Sequence, residues 1–557
     1  MLDETARNDM RPARYLLLLW LIALFTWWVR YHPWGLDGVV LEDDTRQHVY
    51  WTARFQDPGL FPDDPMTRFA SSLKIAPLGY QWVYRAGTFF MDPLTFSQVL
   101  SLILLLATLW LLDGLLSLFI PEARVRFFLG LLFLLYLTHN VVHNVLGGFQ
   151  RSFAFPLFLG FLILLRKGYF KSALSLVLAE ALFYPAIVPN TLAMGGAALL
   201  ASWKEKPAWG PWLAKGAFLA GVTLLTFVVL HAIYWMGGAD FSGSPMTLET
   251  ARAMPEFHEG GRTVFFRDNP LAYWLTGRSG VGVLHLSGFL VLAVFLLAIL
   301  GFSRFKTVPL AFHLVWTSLV LFASAHLTLF RLYLPSRYTY YTLSLALLLL
   351  IGVNAKPAKE VLLDRIPFLK RRKPRASRWM AAAAAVLLLS VYGAAQSFLV
   401  CRADPRLVVL EREDLEMLRF LESLPKDALV AGHPLVLDNV PLMASRKVVA
   451  NLELALPYYA GYYELMRKRL LDLLQAYYAH RWEEVRAFVA SYGVDALVIG
   501  KLDFNPSSLE GPLATEPFNA LVRREMESQG DFALEDPPAE LRCFENAAYS
   551  VLCFQGK

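Results

Sequence analysis

Residues 15–30 read YLLLLWLIALFTWWVR, an apolar run long enough to cross the hydrocarbon core of a bilayer. Arg7, Arg11 and Arg14 precede this run, and no small-residue cleavage site follows it, so we interpret it as an uncleaved signal anchor. Because Lys and Arg favour the cytoplasmic side of a membrane, the N-terminus is predicted to lie inside the cell. The chain after residue 30 is then expected to lie outside.

The composition of the 557 residues extends this interpretation to most of the chain. Hydrophobic residues make up 56% of the sequence and charged residues only 18%, whereas a soluble domain is about 45–50% apolar and about 25% charged. The net charge of +6 is not gathered into a basic arm, so the sequence does not indicate a nucleic-acid partner. We predict a mainly α-helical polytopic membrane protein with about eleven transmembrane helices and a C-terminal soluble α/β domain.

Hydropathy and the placement of basic loops predict where the spans lie. Large loops at 31–95 and 237–280 are expected outside, and the basic stretch at 355–378 inside. The multi-pass protein is therefore expected in a bacterial-type inner (cytoplasmic) membrane, with its C-terminal domain periplasmic. The predicted spans are about 15–30, 97–120, 125–142, 153–165, 172–184, 187–202, 214–236, 281–302, 308–330, 338–354 and 379–400.

The apolar block at 172–202 is predicted to be two short spans rather than one. Lys171 precedes it and Lys204 follows it, so a single crossing would place one basic end outside. The sequence FYPAIVPN contains two prolines that interrupt helix geometry at the middle of the block. A hairpin of two short helices satisfies both observations.

Residues 401–557 form the predicted C-terminal domain, and residues 1–400 the membrane domain. The related segments DALVAG (427–432) and DALVIG (495–500) each predict a short buried strand, with a helical stretch at about 457–491 between them. Cys543 and Cys553 flank a turn-like segment, which leaves a disulfide and a pair of buried thiols as alternatives.

The segment LEDDTRQHVYW at 41–51 carries the best candidates for chemistry. Asp43 and Asp44 could deprotonate a hydroxyl or bind a divalent metal. In a helix, Asp44 and His48 would share one face. The alternative is that one aspartate caps the N-terminus of a solvated helix.

The whole chain resembles the GT-C glycosyltransferases. The resemblance consists of a first span, a long outer loop that opens with an acidic pair, many further spans and a C-terminal outer domain. This superfamily includes protein mannosyltransferases, aminoarabinose transferases of lipid A and oligosaccharyltransferases. The resemblance implies transfer of a sugar from a polyprenyl-phosphate or polyprenyl-diphosphate carrier to a glycan, lipid or protein acceptor. It also implies that Asp43 or Asp44 acts as base or metal ligand.

Arginines in outer loops are candidates for binding the donor phosphate. Arg331 and Arg337 lie in RLYLPSRY, a short loop where the positive-inside rule disfavours them. A guanidinium matches a phosphate bidentately; snorkelling anchors at the membrane interface are the alternative. Arg151, between the third and fourth spans, is a further candidate.

Other polar residues are weaker candidates. His139 and His143 have the spacing of metal ligands on one helix face. No Asp or Glu occurs from 123 to 179, where some GT-C enzymes carry a second acidic motif, so the cofactor stays unknown, with a divalent metal as one option. Candidate donor or acceptor contacts outside the first loop are Glu256, His258, Arg262, His433, Asp438, Glu453 and Tyr458. Glu180, at membrane depth, has no assigned role.

Three other functions compete with a single-sugar transferase. A polysaccharide polymerase or ligase would use a polyprenyl-diphosphate glycan and make a larger product. A transporter is expected to have charged residues near the midplane of several spans and internal duplication; Glu180 is the one clear case, and the sequence contains no duplication. In a non-catalytic scaffold, replacing both aspartates would matter little.

Overall fold

A computed structural model describes residues 12–33, 37–142, 145–204, 208–236, 246–332, 334–365, 407–505, 515–527 and 530–554. Ten long helices, named α1 to α10, occur in these residues, each at a predicted span. The eleventh predicted span, 379–400, lies outside the described residues. The ten helices are Pro12–Tyr31, Pro93–Ser117, Ala123–Leu135, Ala154–Arg166, Phe170–Phe183, Val188–Trp203, Trp209–Met236, Val283–Leu300, Pro309–Leu327 and Arg337–Arg365.

By length and apolar composition, seven helical segments of the described chain are able to cross a membrane. Three other helices, α3 to α5, have only 13 or 14 residues. Short helices are tolerated where other protein covers their ends. The predicted hairpin is confirmed, because α5 ends at Phe183, a 3₁₀ turn occupies Pro185–Ile187, and α6 begins at Val188.

Three loops lie at one end of the helix bundle, and we name them loop 1 (37–92), loop 2 (246–282) and loop 3 (328–336). Loop 1 contains the helices Pro65–Ala70 and Leu78–Gly87. Loop 2 contains Leu248–Ala253 and Pro270–Leu275. Side chains of loops 1 and 2 contact the C-terminal residues, so all these parts gather at the same end.

The C-terminal residues form an α/β domain, as predicted. Its mixed sheet has five strands, Leu429–Gly432 (β3), Lys447–Val448 (β4), Ala496–Gly500 (β5), Arg542–Glu545 (β6) and Tyr549–Cys553 (β7). The strand order is β4-β3-β5-β7-β6, in which β3 pairs in parallel with β4 and β5, and β7 runs antiparallel to its neighbours. DALVAG and DALVIG supply β3 and β5. Cys543 and Cys553 form a disulfide between β6 and β7.

The domain also contains four helices, α11 to α14, at Arg412–Ser423, Ala460–Tyr477, Trp482–Tyr492 and Phe518–Met526. The predicted helical stretch at 457–491 is thus two helices, α12 and α13. Gly493 ends α13 in a left-handed conformation that glycine adopts at little cost.

Loop 1 and the C-terminal domain share a hydrophobic core, although about 400 residues separate them in sequence. Tyr50, Phe69 and Tyr80 of loop 1 belong to the same buried cluster as Val448 and Tyr462. The rings of Phe69 and Tyr462 stack with centroids 3.7 Å apart. The core therefore crosses the domain boundary at 400/401, which itself stays a prediction.

A two-stranded sheet strengthens this junction. Strand β1 (Val39–Glu42) pairs antiparallel with β2 (Leu407–Leu410). A side chain at Gly38 would clash with the carbonyl of Leu410, so the close approach of the two strands requires glycine there. The last residue of β1, Glu42, is fully buried and forms a two-pronged ion pair with Arg30 at the end of α1.

We predict that Glu42→Ala strongly destabilises the protein. The side chain of Arg30 is only 3% exposed, and removing one partner of a buried ion pair costs about 3–5 kcal/mol because the other charge remains uncompensated. The measurement is the midpoint of thermal unfolding in detergent micelles. The control is Glu416→Ala, which removes the partner of the exposed Arg412 and should leave the midpoint unchanged. Equal midpoints for Glu42→Ala and the native protein would contradict this role.

Candidate active site

A cavity of about 750 Å³ lies where loops 1, 2 and 3, the α5–α6 turn and the C-terminal domain meet. Nine residues singled out from the sequence line it: Asp43, Asp44, His48, Arg151, Arg262, Arg331, Arg337, Glu453 and Tyr458. The fold thus gathers in one place residues that are more than 400 positions apart.

The two aspartates directly follow β1 and precede a four-residue helix, Thr45–His48. The single long helix considered for 41–51 does not form, because this helix ends at His48 and a 3₁₀ helix follows at Tyr50. Asp44 occupies the N-cap position, yet its side chain makes no capping hydrogen bond. Its carboxylate instead forms an ion pair with Arg151, so the capping alternative does not account for this residue.

Arg46 joins Asp43 to the C-terminal domain. Its guanidinium forms an ion pair with Asp43 and lies 3.8 Å from Asp438 Oδ2 and 3.6 Å from Glu453 Oε2. Arg262 of loop 2 also pairs with Glu453, at 3.1 Å. The sequence interpretation did not single out Arg46; its spacing of three residues from Asp43 was the available signal.

Burial shifts the pKa values of the carboxyl groups in this cluster. Desolvation raises the pKa of Glu453 to about 7 and that of Asp438 to about 6, even though Arg46 and Arg262 act in the opposite direction. Desolvation also raises the pKa of Asp43. A carboxylate with a raised pKa is a better proton acceptor near neutral pH than an ordinary one.

Cationic side chains occupy the rest of the cavity wall. The described lining residues include three acids, Asp43, Asp44 and Glu453, and twice as many cations. The six cations are Lys74, Arg151, Arg262, Arg278, Arg331 and Arg337. The site therefore favours an anionic ligand. Lys74 and Arg278 were not singled out from the sequence. Arg278 lies shortly before a predicted span, as Arg331 lies directly after one.

Local structure fixes Arg151 beside Asp44. Gly148 has a positive φ of 66°, and a side chain there would clash with the carbonyl of Ser97, so the turn before Arg151 requires glycine. Arg151 also lies over the ring of Phe149, 5.2 Å from its centroid. Burial, reinforced by Arg151, lowers the pKa of His48 to about 4, so His48 is neutral at physiological pH.

Three carboxylates could ligate a divalent cation. Oxygens of Asp43, Asp44 and Glu453 lie within 4.8 Å of one another, and carboxylate oxygens suit hard cations. Each of the three is also paired with an arginine, which a cation would have to displace in part. His139 is not in this cluster, and His143 lies outside the described residues. The helix that would have aligned the two histidines ends in a π turn at Asn140.

Three other candidates lie away from the cavity wall. Glu256 is buried against the C-terminal domain, where it accepts hydrogen bonds from Tyr463 (2.7 Å) and Arg467 (3.0 Å). His258 bonds to the carbonyl of Arg252 within loop 2. His433 caps a short helix and packs against Tyr477.

Asp438 lies directly behind the wall, where it accepts a 2.7 Å hydrogen bond from the backbone N–H of Glu453. It ends a short helix after β3 rather than the strand itself.

Comparison with solved structures shows which known folds this arrangement is similar to. ArnT of Cupriavidus metallidurans, solved with bound undecaprenyl phosphate, matches with a TM-score of 0.50 over 97% of both chains, at 13% identity. The oligosaccharyltransferase of Archaeoglobus fulgidus matches with a TM-score of 0.49 over 94% of this chain and 73% of its own, also at 13% identity. No protein-family profile matches the sequence, and no curated protein does.

The predicted resemblance is confirmed as a likeness of fold, because the chain is similar in fold to ArnT. The match to ArnT extends over nearly the whole of both chains, so it includes the helix bundle and the C-terminal domain together. At 13% identity the likeness concerns the fold alone.

We predict that Glu453→Gln raises the unfolding midpoint at pH 8 and not at pH 5. Because the folded pKa of Glu453 is about 7 and its ordinary value is 4.5, the folded state binds a proton that the unfolded chain releases. The stabilisation from that proton is complete below about pH 4.5 and is lost as the pH rises through 7. Gln imitates the protonated carboxyl and does not titrate.

The measurement is thermal unfolding of both proteins at the two pH values. Glu483→Gln, at an exposed position of α13, is the control, and its difference from the native protein should be the same at pH 5 and pH 8. A Glu453→Gln difference that does not change with pH would show that burial does not shift this group.

Proposed function

We propose that this chain is a membrane glycosyltransferase that moves a sugar from a polyprenyl-phosphate donor to an acceptor on the outer face of the membrane. The observation that carries the proposal is the cavity itself, in which Asp43 and Asp44 face a set of arginines at the ends of apolar helices. The similar fold of ArnT, solved with undecaprenyl phosphate, supports the same donor class.

The arginines bind the donor phosphate in this proposal. Arg151, Arg331 and Arg337 all line the cavity, which favours a binding role over the alternative of lipid-facing anchors. Arg337 is the first residue of α10, so it lies where a lipid phosphate would sit above its hydrocarbon chain. Guanidinium groups neutralise the phosphate bidentately, and the phosphate can then leave without a general acid.

Asp43 is the proposed proton acceptor. It is the more exposed of the two aspartates, at 31% against 22%, and burial raises its pKa. The acceptor oxygen or nitrogen bonds to the anomeric carbon as the bond from that carbon to the phosphate oxygen breaks. The proton passes to Asp43, and the polyprenyl phosphate leaves with the electron pair. A single displacement inverts the configuration at that carbon.

Asp44 holds Arg151 in position to bind the phosphate. A second proposed role of the carboxylates is to bind a divalent cation. Asp43, Asp44 and Glu453 would hold such a cation, which would supply a positive charge for orienting the acceptor. Asp43 and Glu453 already have Arg46 between them, and its guanidinium supplies part of that charge.

The orientation of the protein in the membrane follows from charge. Loops at the end of the bundle opposite the cavity carry Arg166, Lys167, Lys204 and Arg304, and basic loops favour the cytoplasm. We therefore propose that the cavity and the C-terminal domain face the periplasm of a bacterial-type cell.

We predict that Asp43→Asn abolishes sugar transfer, whereas Asp44→Asn lowers it. Transfer is lost in Asp43→Asn because Asn cannot accept the proton. The assay follows label from a pool of radiolabelled polyprenyl-phosphate sugars into a membrane and periplasmic extract. Loss of a positioned base costs about 10²–10⁴-fold in rate. Repeating the assay with a chelator and with added Mg²⁺ or Mn²⁺ tests whether the carboxylates also hold a cation.

The control is Asp57→Asn, which removes an exposed carboxylate of loop 1 outside the cavity and should leave transfer unchanged. Native-like transfer by Asp43→Asn would exclude this residue as the base. Label that enters only high-molecular-weight glycan would indicate the polymerase or ligase alternative. Label that crosses the membrane without a new bond would indicate a transporter.

We predict that Arg337→Gln weakens binding of the donor more than it slows transfer at saturating donor. Loss of a hydrogen bond to a charged group costs about 1.5–3 kcal/mol, which corresponds to a rise in KM of about 10- to 100-fold. Steady-state kinetics with one donor separates KM from kcat. Arg542→Gln, on β6 of the C-terminal domain, is the matched control. An unchanged KM for Arg337→Gln would favour the anchoring alternative.

A further inference from the structure

A cluster of cationic and aromatic side chains lies at the end of the bundle opposite the cavity, where α5, α6 and α7 meet. Lys171 is the second residue of α5, Lys204 directly follows α6, and Lys215 lies near the start of α7. All three lysines are exposed. We name Lys171 and Lys215, together with the rings of Phe170 and Phe218 on which they lie, the basic cleft.

The two lysines of the basic cleft are arranged reciprocally across the contact between α5 and α7. The ammonium group of Lys171 lies over the ring of Phe218, 5.8 Å from its centroid. The ammonium group of Lys215 lies over the ring of Phe170, 5.9 Å from its centroid. Aromatic faces attract cations at such distances. The packing of the two helices therefore places both positive charges at a single interhelical contact.

The surrounding helices supply almost no negative charge. The described residues between 123 and 236 contain a single acid, Glu180. Glu180 is fully buried and accepts a hydrogen bond from Thr191 at 2.8 Å. It comes nine residues after Lys171, which is about 13 Å along a helix. Residues 205–207, between α6 and α7, lie outside the described residues. Helices α3 to α7 thus leave the charge of the basic cleft available to an anion.

Indole and apolar side chains adjoin this charged contact. Trp203 and Trp209 are 44% and 65% exposed, and their ring centroids are 4.9 Å apart. Tryptophan is enriched at the level of lipid head groups. Leu225 follows Phe218 by seven residues, so it lies on the same face of α7, and it is 48% exposed. The surface is therefore charged at the helix ends and apolar further along α7.

We propose that the basic cleft binds an anionic phospholipid, with the lipid phosphate between Lys171 and Lys215 and the acyl chains along α7. Ammonium groups bind phosphate as point charges, and basic pockets between membrane helices on the cytoplasmic side suit anionic head groups. The cleft lies at the end of the bundle that we place toward the cytoplasm. This site is separate from the cavity, and the inference does not depend on the proposed function.

A lipid in the basic cleft would stabilise the α5–α6 hairpin. The turn of this hairpin lines the active-site cavity with Tyr184, Pro185 and Pro189, whereas Lys171 lies at the opposite, open end. The two helices have only 14 and 16 residues. A ligand that joins α5 to α7 holds this open end and binds only the folded chain, so it should raise the unfolding midpoint.

The test compares three probes on purified protein in a neutral detergent, with bound lipid counted by native mass spectrometry. Palmitoyl-oleoyl phosphatidylglycerol is the anionic lipid, phosphatidylcholine with the same chains is the neutral lipid, and glycerol 3-phosphate is a head group without chains. The cleft variant combines Lys171→Gln with Lys215→Gln. The matched control combines Lys306→Gln with Lys359→Gln, which removes two exposed lysines of the same end of the bundle outside the cleft.

We expect the native protein and the control to bind phosphatidylglycerol about tenfold or more tightly than phosphatidylcholine. The cleft variant should bind phosphatidylglycerol about 30-fold more weakly, because each lysine near a lipid surface contributes about fivefold. Replacing both cleft lysines by arginine keeps the charge and should retain binding, which separates the loss of charge from a loss of folding.

Equal affinity of the native protein and the cleft variant for phosphatidylglycerol would overturn the proposal, as would equal affinity of the native protein for the two lipids. Glycerol 3-phosphate that binds as tightly as phosphatidylglycerol would show a site for free phosphate esters and exclude the lipid as its ligand.

Thermal unfolding supplies a second measurement. Phosphatidylglycerol should raise the unfolding midpoint of the native protein and of the control, and this rise should shrink in about 1 M salt, where screening is strong. The cleft variant should show no rise. A rise of the same size in the cleft variant would place the stabilising lipid elsewhere on the protein.

Discussion

The site depends on the ion pairs of the buried Arg46 guanidinium. It comes from loop 1, yet it faces Asp438 and Glu453 of the C-terminal domain as well as its own neighbour Asp43. Buried charges persist only when they are paired. These ion pairs therefore fix the position of loop 1 against the C-terminal domain. The shared hydrophobic core around Phe69 and Tyr462 excludes water from the junction between them.

The same burial prepares the site for chemistry. Carboxylates that lose solvent have raised pKa values, as Glu453 and Asp438 do, while the excess of arginines in the cavity compensates for an incoming phosphate. The acids and the arginines of the cavity come from different loops. Loop 1 supplies the two aspartates, and loops 2 and 3 supply several of the arginines.

Much of the architecture was predictable because hydropathy and helix punctuation act locally. Ten of the predicted spans correspond to helices, and the prolines of FYPAIVPN mark the α5–α6 turn. Asp43, Asp44 and the arginines of RLYLPSRY were identified because charge is unusual next to apolar spans. Lys74 was missed because nothing in its local pattern separates it from an ordinary surface residue, and Arg278 was missed although it lies beside a predicted span. The single helix considered for 41–51 did not form, since pairing of β1 with β2 holds residues 39–42 extended.

The sequence by itself predicted the approximate positions of ten helices of the described residues, the α/β character of the C-terminal domain and the acidic pair after the first span. These features depend on short-range periodicity and on the hydrocarbon thickness that each span must match. Only the tertiary structure decided that Glu453 joins Asp43 and Asp44, and that Glu256 and His433 do not line the cavity. Such contacts join residues hundreds of positions apart, and they arise from the packing of one hydrophobic core that no local pattern encodes.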